Sequence, residues 1–144
     1  MWVFDTSKDK KLYHTGLFIL RLVVGCFMLT HGIQKWTMLF SATGAEGFPD
    51  PLGVGANASL ALAVFAEVVC SGFILIGLCT RVVVIPLIVT MFIAVFIIHG
   101  HDSLEKQELG GLYLTIYVLL LITGSGKYSI DYFIHKKTRK RVYS

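Results

Sequence analysis

Apolar residues fall into long runs separated by short polar clusters, and the spacing of those runs sets the architecture. The runs cover roughly 15–36, 59–78, 82–98 and 108–123. About 20 residues of helix cross a hydrocarbon layer about 30 Å thick, and about 17 lies near the lower limit. The third and fourth runs are short but sufficient. The pattern predicts an all-α chain, an integral membrane four-helix bundle over residues 1–144 as one domain.

The punctuation supports these limits. The first run continues into His31-Gly32-Ile33-Gln34-Lys35-Trp36, which is no leader-cleavage site, so it reads as a retained helix. Residues 37–58 hold Gly47-Phe48-Pro49-Asp50-Pro51 and Gly53-Val54-Gly55, a density of breakers that makes a loop. A loop of that length serves as a tether or carries function. Cys79-Thr80-Arg81 forms a tight connection, and Pro86 falls in the first turns of the third helix, where a missing N–H costs little. Gly124-Ser125-Gly126 ends the fourth, and Tyr128 to Ile134 predicts a short interfacial helix.

Composition sharpens the picture. The chain is 55% hydrophobic and 15% charged, against about 25% charged for a soluble domain. Its net charge is +4, but the basic residues sit at the two ends. Lys8, Lys10 and Lys11 precede the first run, and a basic tail at 135–144 follows the last. That distribution excludes nucleic-acid binding and marks cytoplasmic retention charge, with anionic lipid headgroups as incidental partners. Arg81 and Lys127 fall on the same side, whereas Glu46, Asp50, Asp102, Glu105 and Glu108 fall on the other. Both termini are therefore expected in the cytoplasm, with loop 37–58 outside. Cys26, Cys70 and Cys79 include no C-x-x-C, which argues against a membrane thiol–disulfide enzyme.

Ionisable residues inside a bilayer are costly, and each calls for a reason. On the first helix Arg21, Gly25, Met28, Gly32 and Lys35 share one stripe, with His31 at its edge. The small glycines invite close helix approach. Glu67 is the deepest acid, about 12 Å below the outer end of the second helix. His99 ends the third helix and Glu108 begins the fourth. By depth, His31, Lys35, Glu67, His99 and Glu108 converge in the outer half as a polar intramembrane site. Near the inner face Asp131 is expected to form a structural ion pair with Arg21 or Arg81. No metal site is expected.

Several of these residues also carry a family resemblance. Arg21-Leu22-Val23-Val24-Gly25, His31-Gly32-Ile33-Gln34-Lys35, Phe65-Ala66-Glu67 and Gly77-Leu78-Cys79-Thr80-Arg81 resemble the DoxX family, as do Glu108 to Tyr113 and Gly126-Lys127-Tyr128-Ser129-Ile130-Asp131. The match runs in order over roughly residues 15 to 133. It implies a multi-pass protein of the bacterial inner membrane. Relatives include the small membrane subunit of a thiosulfate–quinone oxidoreductase and members of membrane oxidoreductase complexes linked to thiol and oxidative stress.

Three functions fit. One is a quinone-linked role in a larger redox assembly, with His31, Lys35 and Glu67 handling protons. The chain shows no cofactor site of its own, so electrons must come from a partner, a membrane or periplasmic subunit. The second is a non-catalytic membrane anchor or assembly subunit. The third is a haem b protein with His31 and His99 as axial ligands.

Overall fold

The computed structural model describes residues 10–142. The order is α1 Lys10–Leu39, α2 Ala56–Ile76, α3 Thr80–Ile98, α4 Leu104–Thr123 and α5 Ile130–Val142, with no strand among the described residues. Two helices contain a π-helical turn: Phe65–Cys70 in α2 and Ile93–Ile98 in α3.

The helices occupy the expected runs, with shifted ends. α1 has 30 residues, about 45 Å at 1.5 Å per residue. It outruns a hydrocarbon core of about 30 Å. α2 starts just after Gly55 and stops at Gly77, whose φ of 69° is the left-handed conformation that ends a helix. The Leu78 amide then bonds back to the Phe73 carbonyl at 2.9 Å. α5 is longer than the expected short interfacial helix, running through the basic tail to Val142.

α1 packs on α2, α2 on α3, and α3 on α4. The core draws on all four: Val24 and Met28, Ala66, Cys70 and Ile74, Val84 and Leu87, Tyr117 and Leu120. Around it lies a belt of exposed apolar side chains, including Phe27, Ile33, Phe65, Phe73, Val82, Phe96 and Ile122. A belt this broad is suited to lipid rather than water. Three helices, Lys10–Leu39, Ala56–Ile76 and Thr80–Ile98, are long and apolar enough to cross a membrane. α4 has 20 residues but opens on the polar sequence Leu104-Glu105-Lys106-Gln107-Glu108.

The α1–α2 contact depends on glycine. A Cβ at Gly32 would lie 2.9 Å from the Glu67 carbonyl carbon and 2.7 Å from a Val68 methyl. The absent side chain lets α1 approach the α2 backbone beside Glu67.

Candidate functional site

Glu67 lies in the π-helical turn of α2 and is fully buried. Such a turn inserts one residue into the helix and is frequent at functional sites. One carboxylate oxygen, Oε1, is paired with the Lys35 ammonium of α1, whose side chain is 31% exposed. Lys35 thus runs its aliphatic stem along the bundle and brings its charge to a buried acid.

The other oxygen, Glu67 Oε2, is buried without a protein partner, as are Ser71 Oγ and Tyr117 Oη. Leaving such groups unsatisfied costs roughly 1–3 kcal/mol each. The ring of Tyr117 is stacked with that of Tyr113 at a centroid distance of 6.1 Å. Tyr113 in turn meets His31 edge-on at 6.0 Å.

Beside Glu67 is a cavity of about 420 Å³ between α2 and α3. Ala63 and Ala66 of α2 and Pro86, Val89, Thr90 and Ile93 of α3 form its walls, and Lys35 and Glu67 supply its charged groups. Phe48, Pro49, Pro51 and Leu52 of the long loop roof it. Its lining includes Leu62, Phe65, Ile85 and Val89, each about half exposed on the lipid-suited belt. Both π-helical turns border the cavity, through Phe65 to Glu67 and through Ile93, Ala94 and Ile98.

The roof is held by Asp50. Its carboxylate accepts hydrogen bonds from Ser59 Oγ at 2.6 Å, the Gly55 amide at 2.8 Å and the Val54 amide at 3.1 Å. The bond from Ser59, then that from Gly55, holds the Asp50 carboxyl below the usual carboxylate range.

The expected residues are only partly assembled. Lys35 and Glu67 meet; His31 borders them through Tyr113 and makes no hydrogen bond to Glu67. His99 Nδ1 lies 2.7 Å from Asp102 Oδ2, beyond the end of α3, and the Gln107 amide donates to the His99 carbonyl at 2.7 Å. The bond to His99 draws the Asp102 carboxyl below its ordinary range. Glu108 is exposed at the start of α4.

At the opposite end, Asp131 is satisfied otherwise than by the expected ion pair. Among the described residues the ion pairs are Lys35–Glu67, His99–Asp102 and Lys106–Asp102. Fully buried Arg21 sends Nη1 to the Ser125 carbonyl at 2.7 Å and Nη2 to the Tyr128 carbonyl at 2.6 Å. Arg81 donates to the Ile122 carbonyl at 3.1 Å. Asp131 accepts from the amides of Cys79 at 2.7 Å and Thr80 at 3.1 Å. It occupies the N-terminus of α3, where free N–H groups and the helix dipole favour an anion. It acts on Arg21 only through space.

Sequence reasoning missed Tyr113 and Tyr117. Their four-residue spacing inside an apolar run places two hydroxyl-bearing rings on one helix face, and that signal was available. Asp50 and Ser59 carried no such signal, because the loop's path brings them together.

The apolar belt, the three membrane-length helices and the buried charge pair define a multi-pass helical membrane protein. The chain belongs to the DoxX family, whose model matches residues 16–100. It is 29% identical over 147 residues to an uncharacterized membrane protein of Mycobacterium tuberculosis, an alignment covering 85% of this chain and 83% of that one. No solved structure matches it significantly.

Proposed function

We propose that the protein is a quinone-linked subunit of a larger redox assembly in the bacterial inner membrane. In this reading α4 is a fourth span, and both ends of the chain lie in the cytoplasm. The observation that carries the function is the Lys35–Glu67 pair facing an apolar cavity of about 420 Å³. Ligand pockets run from about 300 to 1,000 Å³, mostly apolar with a few placed polar groups. A quinone ring needs such a slot and a hydrogen-bond donor at its carbonyl oxygen.

Lys35 supplies the donor. Reduction by two electrons would require two protons, one at each quinone oxygen. Lys35 would donate one and be reprotonated from the water its partly exposed side chain reaches, which restores the charge facing Glu67, and the second would come from the same water. Thr90 supplies a hydroxyl in the same cavity. The electrons come from a redox partner protein, because the sequence carries no dithiol motif and no nucleotide fingerprint. The exposed lining at Leu62, Phe65, Ile85 and Val89 suits an isoprenoid tail that stays in the bilayer.

The test is binding of a short-tailed quinone analogue to the protein in nanodiscs. Glu67→Gln and Lys35→Met are each expected to weaken binding by about tenfold, the loss of one charge-assisted hydrogen bond. If neither the isolated protein nor its assembled complex binds the analogue, the chain is a membrane anchor and the quinone reading fails.

A further inference from the structure

Around Glu67 three buried oxygens lack a hydrogen-bond partner of ordinary length in the protein: Glu67 Oε2, Ser71 Oγ and Tyr117 Oη. They are not scattered. Ser71 follows Glu67 by four residues on α2, the spacing that makes helix neighbours. Tyr117 of α4 approaches Ser71 closely enough for the two hydroxyls to attract each other, short of a hydrogen bond of ordinary length, and lies within electrostatic range of Glu67. All three residues are fully buried.

We propose that these oxygens bind one internal water molecule, and that Tyr117 is thereby the positioning residue for Glu67. The hydrogen-bond count closes. A water makes about three bonds to buried polar groups. The Tyr117 hydroxyl donates to the water, and the water's two hydrogens go to Glu67 Oε2 and Ser71 Oγ. Each orphaned oxygen gains one partner. Glu67 is then fixed from both sides, by the Lys35 ammonium at Oε1 and by the water at Oε2. A carboxylate held at one oxygen only is free to turn about its terminal bond, which changes the direction in which it holds Lys35.

The charged and titratable groups around Glu67 are few. α1 contributes Lys35, with His31 behind Tyr113; α4 contributes Tyr113 and Tyr117; α2 itself adds Cys70. The α3 wall is Pro86, Val89, Thr90 and Ile93. Tyr117 and Ser71 do not line the cavity, so they act on a ligand only through Glu67.

The water site rests on geometry alone, whereas the positioning role rests on the quinone reading, and the experiment separates them. Solid-state NMR of the full chain in bilayers reads water-to-carbon magnetisation transfer. Without quinone, transfer from a long-lived water to both Glu67 Cδ and Tyr117 Cζ is expected, with Glu67→Gln assigning the carboxyl signal. Tyr117→Phe, which keeps the ring and its packing, should abolish transfer to Glu67, and Ser71→Ala should reduce it. A dry Glu67 Cδ in the native protein, or transfer unchanged in Tyr117→Phe, overturns the proposal. In nanodiscs Tyr117→Phe should weaken the quinone analogue by about threefold to tenfold while the native thermal stability is kept. Unchanged affinity with the water signal lost would overturn the positioning role and leave the water site standing. Failure of the native protein and complex to bind the analogue would count against the quinone reading instead.

Discussion

Lys35 of α1 and Glu67 of α2 are bonded across the helix interface, the acid fully buried and the base about one-third exposed. Removing one partner therefore differs from removing both. Lys35→Met leaves a buried carboxylate without its counter-charge, which costs several kcal/mol in a fully buried pair. Partial exposure of Lys35 lowers that to roughly 1–3 kcal/mol. The double variant Lys35→Met/Glu67→Met is expected to be more stable than Lys35→Met alone. A double-mutant cycle on unfolding in bilayer mimics reads the coupling, expected to exceed about 1 kcal/mol. Additive single effects would show that the two charges do not act as a pair.

Gly32 sets the distance at which that pair can form. Gly32→Ala drives a methyl to 2.9 Å from α2 backbone, which has nowhere to move. A loss of roughly 1–3 kcal/mol is expected, as for other overpacked interfaces. Gly16 on the same helix has nothing within 4 Å of the equivalent position. Gly16→Ala should gain up to about 1 kcal/mol from helix propensity alone. Thermal unfolding of the two variants in one detergent is the comparison, and a harmless Gly32→Ala would refute the close-approach account.

The sequence carried the helices because each run repeats one instruction over many residues, apolar and uninterrupted. Residues whose role depends on a single partner were less legible. Glu67 was found by its depth and Lys35 by its stripe, but Tyr117 reads locally as one more aromatic in an apolar run. Asp131 acts on Arg21 through space, as the charges suggest, but its hydrogen bonds go to partners that charge counting does not see. Charge counting sees arginines, whereas the free amides at the start of α3 appear only once the α2–α3 turn is formed. His99 and Glu108 were placed by depth along the chain, and depth does not say which way a side chain turns at a helix end. His99 turned to Asp102, three residues away.

The Asp50 latch predicts a pH dependence confined to the loop. Its hydrogen bonds favour the charged form, so the folded carboxyl titrates below its ordinary value of 3.8. Stabilisation from such a depressed group is complete above the unfolded value and lost as pH falls through the folded one. The amide proton shifts of Val54 and Gly55 should therefore be flat from neutral pH to about 5 and titrate with a midpoint below 3.8. Asp50→Asn should remove that titration and loosen the roof over the cavity, seen as faster amide exchange at those two residues. A midpoint at or above the ordinary value would contradict the three hydrogen bonds.

α4 packs along α3 after a short turn, so if α3 crosses the bilayer α4 returns through it. Its polar opening leaves an apolar stretch from about Leu109 to Thr123, roughly 22 Å at 1.5 Å per residue. That is shorter than the usual hydrocarbon thickness, and the shortfall is met by local thinning or by Lys106 reaching toward the headgroups. Crossing by α4 places α5 and its basic residues on the side opposite the Ser41 loop, as the positive-inside rule requires. Ser41→Cys and Thr138→Cys, each in a background lacking Cys26, Cys70 and Cys79, separate the two arrangements. An impermeant maleimide added to intact cells should label position 41 and spare 138. Labelling of position 138 from outside would mean that α4 does not return to the cytoplasm, and the four-span scheme would be wrong.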